Sequence, residues 1–504
     1  MSAGKGVFNG LSNQPIKIKS NLTYSTKAPV SQEECVRAQL LYMKQLRQKK
    51  KELGEDHPVV LQLMFILAGI FETQDKYNLA EKLLVKCLEK RKIVLGMDDS
   101  ETLNTMNFLA RVYMYQGNFD EAEYLFAECF ERNKIVLGEN HAETLKLMGN
   151  LATLYDKQGK QTLSETLFVD CLKKMRTANI EPILLLTTIN SLAYLYNKQG
   201  RYSLAEPLYV ECLSMKKIVL GPAHRDTIIF MNNLAEIYIN LNQLDKAEIL
   251  LLDCLEKNND AFGTAHPETL ESANNIAGLY YKRGKYALAE SILVDVLAKC
   301  KSVSTVEPRI TLSVMGNLAC VYHKQGNHTL ALPLLEEYKR KVTDQNQGKV
   351  IDQNPGVTND LMDILASIYE HECQQHEQSE SILVENLEMT QLAFGEHHSR
   401  TLESMNNLVN VYTMHEKYEL AEPLALKILK THSTVKGKNH PDTLEAMNEL
   451  GTLYGLQGKF PEAEKLYAQC LSKMKTALGV NHRETLLVKE NLKNVRQDMA
   501  LARK

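Results

Sequence analysis

A glycine that returns at a fixed interval constrains this chain more than any other feature. Gly54, Gly96 and Gly138, then Gly221 and Gly263, then Gly395, Gly437 and Gly479 stand in equivalent surroundings, most preceded by Leu or Phe, and neighbouring members are 42 residues apart. The interval from Gly138 to Gly221 is 83 residues, two units, and that from Gly263 to Gly395 is 132, three units with a short insertion. A period of this length marks a solenoid, because each unit is one supersecondary motif that cannot bury its apolar face alone and must stack on its neighbours.

Each unit carries two helical signatures. Met148, Leu151, Ala152 and Tyr155 occupy the i, i+3, i+4 and i+7 positions of one face, the stripe of a helix packed on one side; this is helix A. Helix B follows with Ala-Glu-x-Leu, at Ala80, Ala122, Ala205, Ala247, Ala289, Ala421 and Ala463. Between them runs a turn such as Gly117-Asn118-Phe119, Gly200-Arg201-Tyr202, Gly284-Lys285-Tyr286 or Gly458-Lys459-Phe460, where glycine supplies the positive φ that ends a helix. The helix A anchors number ten full units, centred on Ala68, Ala110, Ala152, Ala193, Ala235, Ala277, Ala319, Ala366, Val409 and Gly451. Half-units flank them. Ser31 with Glu34 reads as a capping box opening a helix to Leu53, and residues from Arg483 read as a final helix A with a polar ending. The weakest unit spans 339–395, where Asp344 to Gly356 is an insertion rich in Asn, Gln, Gly and Asp, expected to form a loop and a hinge.

Composition excludes several classes of function. The net charge of -3 argues against a nucleic-acid footprint over the whole molecule, and no apolar run is long enough to span a membrane. Lys5, Lys17, Lys19 and Lys27 precede any acidic residue, with no apolar core of a secretion signal, so residues 1–30 are expected to be a flexible basic tail and the address cytoplasmic.

Periodic histidines and cysteines invite a chemical reading that geometry opposes. His57, His141, His224, His266, His398, His440 and His482 each follow the glycine by three. Equivalent helices lie at least about 8–10 Å apart whereas a zinc–nitrogen bond is about 2 Å, so these residues cannot pool into one site, and no metal is expected. Helix capping suits them better: Pro58, Pro267 and Pro441 follow as first-turn prolines, and Asp99 holds the same register. Thr102, Thr144, Thr227, Thr269, Thr401, Thr443 and Thr485 then face the first turn. Cys87, Cys129, Cys171, Cys212, Cys254 and Cys470 share one register of helix B. A disulfide needs Cα atoms within about 7 Å, so this ladder reads as small buried hydrophobes in a reduced compartment. Catalysis needs a singular, convergent constellation. Ladders are not that, and neither enzyme activity nor a cofactor is expected.

Taken together, Leu-Gly-x-x-His-x-x-Thr, Asn-Leu-Ala-x-x-Tyr and Gly-Lys-Tyr-x-x-Ala-Glu-x-Leu closely resemble the tetratricopeptide repeats of kinesin light chains, over nearly all of residues 31–500. The resemblance implies an all-α fold, a right-handed α-solenoid of helix-turn-helix repeats, and a non-enzymatic scaffold or adaptor whose concave groove takes acidic or aromatic-acidic peptide segments. Kinesin light chains carry a long heptad coiled coil ahead of the repeats that holds the heavy chain. Here Val36, Ala38, Leu40, Leu41, Met43 and Leu46 fall short of a stable coiled coil, which argues against a kinesin heavy chain as partner.

With the apolar stripe of helix A buried, a second stripe faces away, and in solenoids resembling this one it lines the groove. Its first position holds Asn107, Asn190, Asn232, Asn274, Asn406 and Asn448, and the next holds Asn150, Asn233, Asn275, Asn317 and Asn407. Two residues beyond the Tyr come Lys157, Lys198, Lys282 and Lys324, interrupted by Asn240. The amides would hold a peptide backbone and the ammonium groups its acidic side chains. The competing reading is that the amides bond the neighbouring helix and the lysines are merely solvated. Two other functions stay open: a scaffold that self-associates, and a chaperone-associated protein that clamps a terminal carboxylate. Against the latter, the amide register that would carry the clamp pairs Asn406 with Asn410 rather than with a Lys.

Overall fold

In the computed structural model, residues 32–178, 180–303, 308–346 and 355–502 are described. They form twenty-two α-helices and, among the described residues, no strand. The architecture is an all-α solenoid of helix-turn-helix repeats. The expected basic tail, the capping residue Ser31 and the core of the expected insertion, 347–354, lie outside the described residues.

Two compact units divide at Ala261 and Phe262. The first opens with a B-type helix, Gln32–Leu53, followed by A/B pairs: Pro58–Thr73 with Tyr77–Val94, Ser100–Gln116 with Phe119–Val136, Ala142–Lys157 with Gln161–Thr177, and Pro182–Lys198 with Tyr202–Val219, then Arg225–Asn240 leading into Leu244–Phe262. The second pairs Pro267–Lys282 with Tyr286–Ser302, Pro308–Lys324 with His328–Asn346, Pro355–His371 with His376–Phe394, Ser399–Met414 with Tyr418–Val435, and Pro441–Leu456 with Phe460–Ala477, and closes on Arg483–Ala502. Within each unit consecutive helices pack together, and A helices of neighbouring repeats also touch. This tighter spacing on the A side makes the A helices the inner layer of each stack.

The helix starts follow from local chemistry. His57, His141, His224, His266, His398 and His440 are N-caps in extended conformation, and each Nδ1 accepts the backbone N–H two residues on. The His482 Nδ1 accepts the Glu484 N–H at 3.3 Å, and Asp99 does the same for Glu101 with its carboxylate, at 2.8 Å. Each such cap satisfies a backbone donor the helix cannot, a contribution of about 1 kcal/mol. Three residues later the Thr hydroxyl turns back. Thr144, Thr227, Thr401, Thr443 and Thr485 donate to the carbonyls of Gly138, Gly221, Gly395, Gly437 and Gly479 at 2.7–2.9 Å. The periodic glycine itself has φ of +86° to +97°, a conformation that a side chain would strain.

The cores are built from the same stripe. Met148, Leu151 and Ala152 are buried, whereas Tyr155 is half-buried and its hydroxyl is hydrogen-bonded. That hydroxyl meets Glu123, the Glu of the preceding helix B anchor, at 3.1 Å, and Gln158 and Lys160 reach the same carboxylate at 3.0 and 3.1 Å. The clasp recurs: Tyr196 and Arg201 hold Glu165, Gln116 holds Glu81, and Gln457 and Lys459 hold Glu422. Each of these repeats is thus pinned to its neighbour at its turn. All ten cysteines are free. In the ladder, Sγ of Cys87, Cys129, Cys171, Cys212, Cys254 and Cys470 donates to a helix A carbonyl 26 residues back, at 3.1–3.7 Å.

Candidate peptide-binding face

The candidate residues all lie on helix A, and the structure separates them by availability. In the first unit Lys157 and Lys198 sit at the C-terminal end of their helices, both exposed. The Lys157 ammonium lies 5.6 Å from the centroid of the Tyr115 ring, a cation–π contact that leaves its outer side in water. Lys198 pairs with Asp156 of the preceding repeat at 3.0 Å, so its charge is partly matched already. Asn190, Asn232 and Asn233 are half-buried on the same layer.

In the second unit Lys282 and Lys324 are exposed at the equivalent helix ends. Packing around the Lys282 ammonium strips enough water to hold its pKa below the ordinary value. Asn274 and Asn317 differ from the lysines: both are 4% exposed, and Asn317 Nδ2 donates to Asn274 Oδ1 at 2.9 Å. Asn274 Nδ2 in turn reaches Ser313 Oγ at 3.3 Å. Asn150 with Asn107 and Asn491 with Asn448 repeat the arrangement, at 2.9 and 3.0 Å and the same separation of 43 residues. For these amides the helix-to-helix reading holds: they tie adjacent A helices together, and Asn274 and Asn317 offer no open face. Asn275 remains half-buried on the surface of its helix.

Anionic and cationic neighbours on this layer form no ladder in the sequence. Arg111 makes two bonds to Glu72 of the preceding repeat, at 2.5 and 2.7 Å, with both side chains largely buried. Glu72 and Asp156 share a register one residue beyond the aromatic anchor. That register varies too much between units to stand out as a ladder.

The tetratricopeptide repeat profile matches residues 101–177, 184–258, 231–302, 268–340, 359–432 and 416–476, most of the chain. The chain belongs to the tetratricopeptide repeat family. A tetratricopeptide repeat protein is typically a scaffold for protein–protein interaction. No curated protein matches it significantly. Among solved structures it is similar to BtubC (BKLC) from P. vanneervenii, at 21% identity over 50% of this chain and 95% of that one, with a TM-score of 0.37. A Podosopora anserina protein described as a kinesin light chain with nearly identical TPR-like repeats is 22% identical over 42% of this chain and 99% of that one, TM-score 0.36. The apo form of RapI is 12% identical over 75% and 98%, with a TM-score of 0.51, a likeness of fold. The repeat class that the motifs indicated, the tetratricopeptide repeat, is the one the profile matches. No helix among the described residues is long and apolar enough to cross a membrane.

Proposed function

We propose that this tetratricopeptide repeat protein is an adaptor that holds extended, acidic peptide segments of partner proteins against its A helices. The observation that carries this reading is the set of exposed lysines at one register, Lys157 and Lys198 in the first unit and Lys282 and Lys324 in the second. Half-buried amides at Asn190 and Asn275 on two of these helices, and at Asn232 and Asn233 on the A helix that ends in Asn240, have the donors and acceptors to meet a peptide backbone. Lys side chains on a ridge raise encounter rates and select against basic partners, and exposed pairs add about 0.2–1 kcal/mol each. Such binding is weak and salt-sensitive, and it gains by repetition along the stack.

The test uses fluorescence polarisation with a labelled peptide carrying several Asp or Glu and one aromatic residue. Lys157→Glu and Lys324→Glu address the two units separately, and neither lysine is held in an ion pair among the described residues. Each reversal is expected to weaken binding about 2- to 10-fold at low salt and to flatten the salt dependence. Affinity unchanged in both variants refutes the assignment of this face.

A further inference from the structure

One cluster in the second unit departs from the repetition that governs the rest of the chain. Glu370 closes one helix A, His376 opens the helix B that follows, and His415 caps the next helix A. His376 Nδ1 and His415 Nε2 both meet Glu370 Oε1 at 2.8 Å, and the candidate donor atoms of the three residues lie within 4.8 Å of one another. These histidines are outside the capping register, so the separation that keeps the capping histidines apart does not apply to them.

We propose that Glu370, His376 and His415 form a binding site for a divalent metal ion of the zinc class. Two imidazoles and one carboxylate are the donor set of open zinc sites, and a tetrahedral ion with bonds of about 2.0–2.1 Å needs donors roughly 3.3 Å apart. Opening the two 2.8 Å contacts by about 0.5 Å, and bringing the two imidazole nitrogens to the same spacing from within 4.8 Å, admits it. Two further observations point to a ligand. Glu370 is 6% exposed, yet its second oxygen, Oε2, is buried without a hydrogen-bond partner, a cost that a bound cation would relieve. His415 Nδ1 is held by Glu380 Oε1 at 2.7 Å, the carboxylate–histidine arrangement that orients an imidazole ligand through its other nitrogen. Glu380 is itself matched by Lys417, at 2.6 and 2.7 Å. The charge left for the ion is therefore essentially that of Glu370.

The His376 side chain is 54% exposed, which supplies an entry path and leaves a coordination position for water. An ion here would bridge the turn of one repeat to the end of the next helix A, a staple at the place where other repeats use Gln. Gln116, Gln158 and Gln457 stand in the register of His415, each bonded to the preceding helix B Glu, and Tyr77, Phe119, Tyr202 and Tyr418 stand in the register of His376.

The same comparison supplies variants that keep the fold. His415→Gln and His376→Tyr each restore the residue that other repeats carry. The untagged full-length chain, stripped with a chelator, is titrated with Zn2+ against a chromogenic chelator, and Co2+ is substituted to read the ligand set. The expected result is one tight equivalent, a Co2+ spectrum without a thiolate band, a rise in melting temperature with Zn2+, and at least about tenfold weaker binding in either variant. Absence of a saturable equivalent, a thiolate band, or an affinity that both variants leave unchanged overturns the proposal.

Discussion

Gly451→Ala should destabilise this protein although alanine is the better helix former. The register holds Ala or Val in every other unit, from Ala68 to Val409, and in an open helix the change would gain about 1 kcal/mol. At Gly451 an added Cβ would lie 2.9 Å from Tyr467 Cε1 and 3.1 Å from both Cδ1 and Cζ. The ring cannot swing aside: Tyr467 is 3% exposed, and its hydroxyl is bonded to Thr452 Oγ1 at 2.9 Å. Overpacking of this kind costs about 1–3 kcal/mol. The net is roughly 0–2 kcal/mol of destabilisation. In the Tyr467→Leu background, which restores the residue found at Leu84, Leu251 and Leu293, the same Gly451→Ala change should stabilise by up to about 1 kcal/mol. The two positions are thereby coupled by about 1–3 kcal/mol. Repeat arrays open locally, so hydrogen exchange of the helices Pro441–Leu456 and Phe460–Ala477, followed by mass spectrometry, is the suitable assay. Slower exchange in Gly451→Ala alone, or the same change in both backgrounds, would refute the steric argument.

Two further outcomes follow from buried titratable groups. Of the ten cysteines only Cys35 and Cys373 are partly exposed, and burial pushes the Cys129, Cys171, Cys212 and Cys254 thiols up to about 12; a thiol reagent at mildly alkaline pH should therefore label two sites rapidly in the native chain, and rapid labelling of the ladder would contradict the packing. Asp363, raised to about 7 by burial and by the nearby Asp360 and Glu403 despite bonds from Asn407 and Asn386, binds a proton more tightly folded than unfolded, where its pKa is about 3.9. Stability contributed by this group is fully present below about pH 4 and is lost as pH rises to about 7. Asp363→Asn should flatten the pH dependence of urea unfolding of the second unit across that range, and an unchanged slope would show that the carboxyl is already ionised.

Much of the architecture was legible because the repeat supplies several aligned copies of each local rule. The His register predicted caps, and all seven histidines bond the backbone as N-caps do; the Cys register predicted inert buried thiols, and each ladder Sγ lies in a core against a carbonyl. The turn glycines were legible too. Where glycine is missing, Asp75, Asn242, Gln374 and Glu416 take the left-handed conformation instead, because the helix A to helix B geometry is imposed by packing on both sides. The role of the anchor Glu was not legible: its partners in the next repeat are more than thirty residues away, as with Glu123 and Tyr155, and no local rule joins them.

The sequence by itself determined the period, the two helices per unit, the caps at each helix start and the face that each helix buries, because those depend on residues within a few turns of one another. Only the tertiary structure decided what chemically identical side chains do. Asn274 and Asn317 bond each other and are buried, while Asn190 and Asn233 keep a partly open face; Lys198 is matched by Asp156, while Lys157 lies over an aromatic ring. It also brought Glu370, His376 and His415 together from three helices, since stacking sets which ends of successive repeats meet, and that distance in space is not written in any single unit.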